Sequence, residues 1–173
     1  MHRTLRTLAL LVPLCQLVAC SDSASPVDAP RVSMQDQCDR ASFDAALGTG
    51  SCMTSGSVTF AQFNSELAAS QHVAAWQFVP ATLTVRVGQT ITAVNDGGEV
   101  HTFTRVEQFG GGIVPALNTG SGNPVEAPEC AALQATDLVS AGAAVATQPA
   151  TTSGTVRYQC CIHPWMRTVV TVN

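Results

Sequence analysis

The sequence predicts an all-β domain, an antiparallel sandwich with one short helix and one long loop insertion. Three observations carry this. Leu83-Thr-Val-Arg-Val87 alternates apolar with polar residues, the mark of a half-buried strand. Further strand-like runs recur, punctuated by Gly88-Gln89 and by the turn Asp96-Gly97-Gly98. Only one stretch carries a clear helix start signal, Thr59 followed three residues later by Gln62.

In chain order, the first segment reads as an export address. Arg3 and Arg6 precede an apolar core, Leu8 to Leu14. The apolar run from Leu8 to Cys20 is broken by Pro13 and Gln16 and is short of the roughly 20 residues a spanning helix needs. Leu17-Val18-Ala19-Cys20 resembles the lipobox of a bacterial lipoprotein signal. That resemblance implies cleavage before Cys20, lipid on its sulfur, and a membrane contact through the lipid anchor only. Residues 1–19 are then a signal peptide. Residues 20–37, small, polar and Pro-containing at their start, are a lipidated flexible tether. Residues 38–173 are the folded domain. The setting is the periplasm or cell surface, where disulfides are allowed.

Within the domain, Thr59 caps a helix that places Phe60, Phe63 and Leu67 on one face. Pro80 confines the strand at Phe78 to a sheet edge. Strands follow at 83–87, 90–95 and 100–106, and late in the chain at 155–160 and 168–172. Residues 107–154 are a long connection rich in Gly, Ala and Thr, of the kind that is functional, covalently pinned or disordered. A short helix is suggested at 131–138. Trp76 reads as core and His72 as surface.

Composition narrows the function. Charged residues make up 12 %, about half the usual ~25 %. All eight basic residues are arginine and the net charge is −4, which excludes a basic nucleic-acid binder. No Ser-His-Asp or paired-carboxylate arrangement stands at useful spacing, and no Gly-rich phosphate loop lies between a strand and a helix. The reading is therefore not an enzyme, with no catalytic residues.

The chemistry concentrates at Cys160-Cys-Ile-His163-Pro-Trp-Met166-Arg. Cys160, His163 and Met166 recur at every third residue, and His101 lies upstream on a strand after a Gly-Gly turn. One thiolate, two imidazoles and a thioether form the ligand set of a blue copper electron-transfer centre. Pro164 stiffens the loop. Cys160 to Arg167 closely resembles the short ligand loop of amicyanin. The stretch from Phe78 to Gln89, with Asn95 and His101, resembles the earlier strands of the cupredoxin family, in particular plastocyanin, pseudoazurin and amicyanin.

The resemblance implies a Greek-key sandwich holding one type 1 copper, with His101, Cys160 and His163 equatorial and Met166 axial. It implies that Asn95 ties the two ligand loops together. Pro164 and Trp165 would flank an exposed edge of His163, where a redox protein such as a cytochrome or oxidoreductase docks. The chain would be a monomer carrying single electrons. Copper storage, sensing or delivery is the alternative, and a metal-free domain used for adhesion or assembly is a third. The sequence departs from the family pattern at Cys161, at Thr168 and in the length between His101 and Cys160.

With Cys15 in the signal, Cys20 lipidated and Cys160 on copper, four of the seven cysteines remain, allowing three pairings. Cys38 with Cys52 is the local pair and leaves Cys130 with Cys161, which would pin the long loop. A buried free thiol at Cys161 is the alternative.

Overall fold

The computed structural model describes residues 29–173. The signal segment, Cys20 and the first part of the tether lie outside the described residues. Two four-stranded sheets pack as a sandwich. The first runs in the order β2 (Gln77–Val79), β1 (Arg31–Gln35), β4 (Thr92–Asn95), β6 (Ala144–Ala146). The second runs β3 (Thr82–Val85), β8 (Arg167–Val172), β7 (Gly154–Gln159), β5 (Thr104–Val106). The expected all-β sandwich is present, but the sheets are mixed rather than purely antiparallel. β1 pairs with β4 in parallel, and β3 with β8 in parallel. As its proline requires, the strand before Pro80 is an edge strand.

The tether is shorter than the sequence reading made it. Arg31–Gln35 is an inner strand of the first sheet, with Val32 and Met34 fully buried. Val32 and Met34 alternate with Arg31, Ser33 and Gln35, the period of a strand. That signal was present in the sequence, next to a Ser- and Pro-rich composition that argues for a linker.

Two helices lie beside the sandwich. α1 (Arg40–Leu47) starts at Asp39, whose side chain accepts the Ser42 N–H at 3.0 Å. It has no counterpart in the sequence reading. α2 (Phe60–Ser70) has the expected capping box between Thr59 and Gln62. Its buried face carries Phe63 and Leu67, with Phe60 half-buried. Phe43 of α1 meets Phe60 and Phe63 of α2 edge-to-face at 5.3 and 5.8 Å and stacks on Trp76 at 5.8 Å. Such aromatic pairs are worth about 0.5–1.5 kcal/mol beyond their area. The rest of the core includes Val32, Met34, Phe78, Val85, Ala93, Tyr158, Val170 and Val172 from the facing strands, with Val73, Ile91 and Val139 from the connections between them.

The connection from 107 to 154 is pinned rather than loose. It holds α3 (Pro115–Gly120), α4 (Pro128–Ala131), a 3₁₀ turn at Ala135–Asp137, and β6, which completes the first sheet. The Cys130–Cys161 disulfide ties it to the turn that follows β7 (Gly154–Gln159), and Cys38–Cys52 staples the segment that carries α1. Gln159, fully buried, accepts the Gly110 N–H at 3.0 Å and donates to the Gly110 and Gly111 carbonyls at 3.3 Å. At Gly112 a side chain would overlap the Cys161 carbonyl, so only glycine permits this close approach.

Candidate metal centre

His101 sits just before β5. The expected strand over 100–106 is regular only from Thr104. His101 is instead held by an isolated bridge to Val139 in the long connection, with N–H···O distances of 3.1 and 2.8 Å. Cys160 follows β7, and Arg167 opens β8, so residues 160–166 form the turn between two paired strands. The Cys160 N–H donates to the Met166 carbonyl at 3.0 Å, and the Met166 N–H to the His163 carbonyl at 2.9 Å. A ladder of six residue pairs between β7 and β8 fixes the base of this loop.

These elements bring His101, Cys160 and His163 together, and all three are buried. The Cys160 Sγ lies 3.8 Å from His101 Nδ1 and 3.9 Å from His163 Nδ1. The three donor atoms fall within 4.8 Å of one another. A trigonal centre with a metal–sulfur bond of about 2.3 Å and metal–nitrogen bonds of about 2.0–2.1 Å separates sulfur from nitrogen by about 3.8 Å. The observed triangle has that size. Its donors, one soft thiolate and two imidazoles, suit copper. Met166 is fully buried on the same loop.

The sulfur accepts backbone N–H groups from Thr102 and Ile162 at 3.4 Å and from His163 at 3.5 Å. Burial on its own pushes the Cys160 thiol up. Hydrogen bonds and charge from His101 and His163 outweigh that and hold it well below the usual thiol range. Burial likewise pulls His163 down, but Cys160 and Glu99 raise it to about 10. His101 is raised in the same way by Asp36 and Cys160.

Both rings are also held on their far side. His101 Nε2 is 2.9 Å from Asp36 Oδ2, and His163 Nε2 is 3.4 Å from Glu99 Oε2. Neither carboxylate was singled out from the sequence. Asp36 fell in the supposed tether. Glu99 is the polar residue after a Gly-Gly turn, two positions from His101, the one local hint of its place.

Three sequence expectations need correction. Asn95 is fully buried, but it does not bridge the ligand loops. Its amide donates to the Glu99 and Val139 carbonyls at 2.7 and 2.8 Å, and its oxygen accepts the Gly97 N–H. Thr102 makes the bridge, through its N–H to Cys160 Sγ and through its hydroxyl, which accepts the Cys161 N–H at 2.8 Å. The residue directly after His101 is simply closer to the second loop than one six positions before it. Second, His163 has no exposed edge: it is 3 % exposed, beneath Phe63, Trp76 and Trp165, whose rings lie 5.5–6.4 Å from it. Third, Pro164 is buried, and only Trp165 of the two expected docking residues is half-exposed. Trp76 is core, as expected, and His72 is exposed.

No family model matches the chain, and no curated protein matches it. Among solved structures it is similar to a purple cupredoxin from Nitrosopumilus maritimus, at 15% identity and a TM-score of 0.46, covering 83% of this chain and 99% of that one. It is similar to the oxidised plastocyanin of Dryopteris crassirhizoma, at 17% identity and 0.42, with the same coverage. A mutant amicyanin with Cu(I) matches at 22% identity and 0.40, covering 59% of this chain and 78% of that one.

Proposed function

We propose that the chain is a mononuclear type 1 copper protein that carries single electrons between redox partners at the bacterial cell envelope. The observation behind this reading is the buried triangle of His101 Nδ1, Cys160 Sγ and His163 Nδ1, sized for a trigonal metal. Met166 is the proposed axial ligand. Bound copper would supply a one-electron couple between Cu(II) and Cu(I).

The chain's own residues do the remaining work. The β7–β8 ladder and the Val139 bridge hold the donors in one arrangement, so a change of oxidation state meets little rearrangement. Backbone N–H groups from Thr102, Ile162 and His163 spread the thiolate charge. Phe63, Trp76 and Trp165 exclude water from His163. Trp165, half-exposed and 5.5 Å from the His163 ring, is the proposed contact for a partner such as a cytochrome or oxidoreductase. Two disulfides favour an exported protein. Lipid on Cys20 would hold it at the membrane.

The test is the visible spectrum after Cu(II) is added to the protein. Intense thiolate-to-copper absorption is expected, lost in Cys160→Ser and kept in Cys161→Ser. A wild-type protein with no such band overturns the reading. Ready surrender of the copper to a chelator, with slow electron exchange, points to delivery instead.

A further inference from the structure

Asp36 and Glu99 are buried carboxylates, 3 % and 8 % exposed, and burying an ionised group carries a large desolvation cost unless it is partnered. Both are partnered, and toward the same centre. Asp36 Oδ2 accepts from His101 Nε2 at 2.9 Å and from the Gly98 and Glu99 N–H groups at 2.8 and 3.0 Å. Its Oδ1 accepts the Cys38 N–H at 3.2 Å. Glu99 Oε2 accepts the Trp76 indole N–H at 2.6 Å and faces His163 Nε2 at 3.4 Å. Trp76 thus holds the carboxylate that holds the ring.

Two consequences follow. A carboxylate on Nε2 keeps the proton on that nitrogen, so Nδ1 of each ring is the nitrogen that gives up its proton to face a bound ion beside Cys160. The acceptor also makes each imidazole a stronger donor, and it puts negative charge close behind both rings in a medium of low dielectric. Negative charge there favours the higher charge state of a bound ion.

Resting on the copper reading above, we propose that Asp36 and Glu99 are a pair of positioning residues that bias the centre toward the divalent ion and set a lowered reduction potential. They act through His101 and His163 and do not touch the metal.

The experiment compares the wild type with Asp36→Asn, Glu99→Gln and Glu99→Asp. Competition titrations give the affinities for Zn(II), Cu(II) and, without oxygen, Cu(I). Potentiometry gives the reduction potential. In Asp36→Asn and Glu99→Gln, divalent affinity is expected to fall about 10–100-fold. Cu(I) affinity should fall less, and the potential should move upward. Glu99→Asp keeps the charge and should stay nearer the wild type in potential than Glu99→Gln. A folded variant of the amide type whose ratio of divalent to Cu(I) affinity is unchanged overturns the proposal. If Asp36→Asn loses its native circular dichroism, because Asp36 also holds three backbone N–H groups, Glu99→Gln decides alone. A wild type that binds Zn(II) but gives no thiolate-to-copper band defeats the copper reading. The Zn(II)-to-Cu(I) affinity ratio then still decides the bias toward the divalent ion, while the lowered potential falls with the copper reading.

Discussion

Cys160 and Cys161 are neighbours in the chain with opposite surroundings. Cys160 is a free, buried cysteine between His101 and His163, in the main core. Cys161 is bonded to Cys130 in a separate small cluster with Val106 and Ala127. One loop therefore carries a donor inward and a covalent pin outward, and the long connection is fastened directly beside the candidate metal.

This arrangement separates stability from ligation. Replacing Cys130 and Cys161 together by Ser removes the pin but no donor. A lost disulfide typically costs 2–4 kcal/mol, and about that loss is expected in denaturant unfolding. The thiolate-to-copper band should survive with a small shift, because the Cys161 N–H to Thr102 bond does not depend on the sulfur. Loss of the band in a folded double variant would contradict the separation of the two roles.

Phe63 links the helices to the centre. Its ring touches Phe43, Phe60, Trp76, His163 and Trp165, and it is 3 % exposed. Phe63→Ala is expected to cost about 3–5 kcal/mol through lost burial and the cavity left behind. It should also open His163 to water, which solvent hydrogen exchange at the ring and a shifted copper spectrum would reveal. Phe63→Leu, which fills more of the space, should recover most of the stability.

The metal-free protein should have a defined pH profile. His163 stands at about 10, above its ordinary 6.5. Its stabilisation is therefore fully present below pH 6.5 and is lost as the pH rises through about 10. Asp36 is held at about 2, below its ordinary 3.8, because bonds from His101, Glu99 and Gly98 outweigh the effect of burial. Its stabilisation is present above pH 3.8 and is lost as the pH falls through about 2. Stability from these two groups is then greatest between about pH 4 and 6.5, measurable by urea unfolding across pH. Metal binding at neutral pH must displace a proton from His163, so affinity should rise with pH. Calorimetry in two buffers of different ionisation enthalpy counts the released protons.

Much of this was legible in the sequence because it was local. The Thr59–Gln62 capping box, the edge strand before Pro80 and the three-residue spacing of Cys160, His163 and Met166 each depend on neighbours a few positions apart. The Cys38–Cys52 and Cys130–Cys161 bridges agree with the pairing favoured by separation along the chain. The strand at Arg31–Gln35 was locally legible too, by its alternation, but lay beside linker-like composition. What was not legible depends on distance in the chain. Asp36 reaches His101 across 65 residues, and no periodicity announces that a helix starting at Phe60 will cover a histidine at 163.

The sequence by itself determined the strand-rich class, the four candidate donors and the loop that carries three of them, because spacing and alternation are properties of short segments. The tertiary structure alone decided that both imidazoles are backed by carboxylates, that Thr102 rather than Asn95 joins the ligand loops, and that His163 is closed from water. Those relationships come from how the two sheets and α2 stack. Hydrogen bonds and burial act through space, between groups whose separation along the chain carries no local signal.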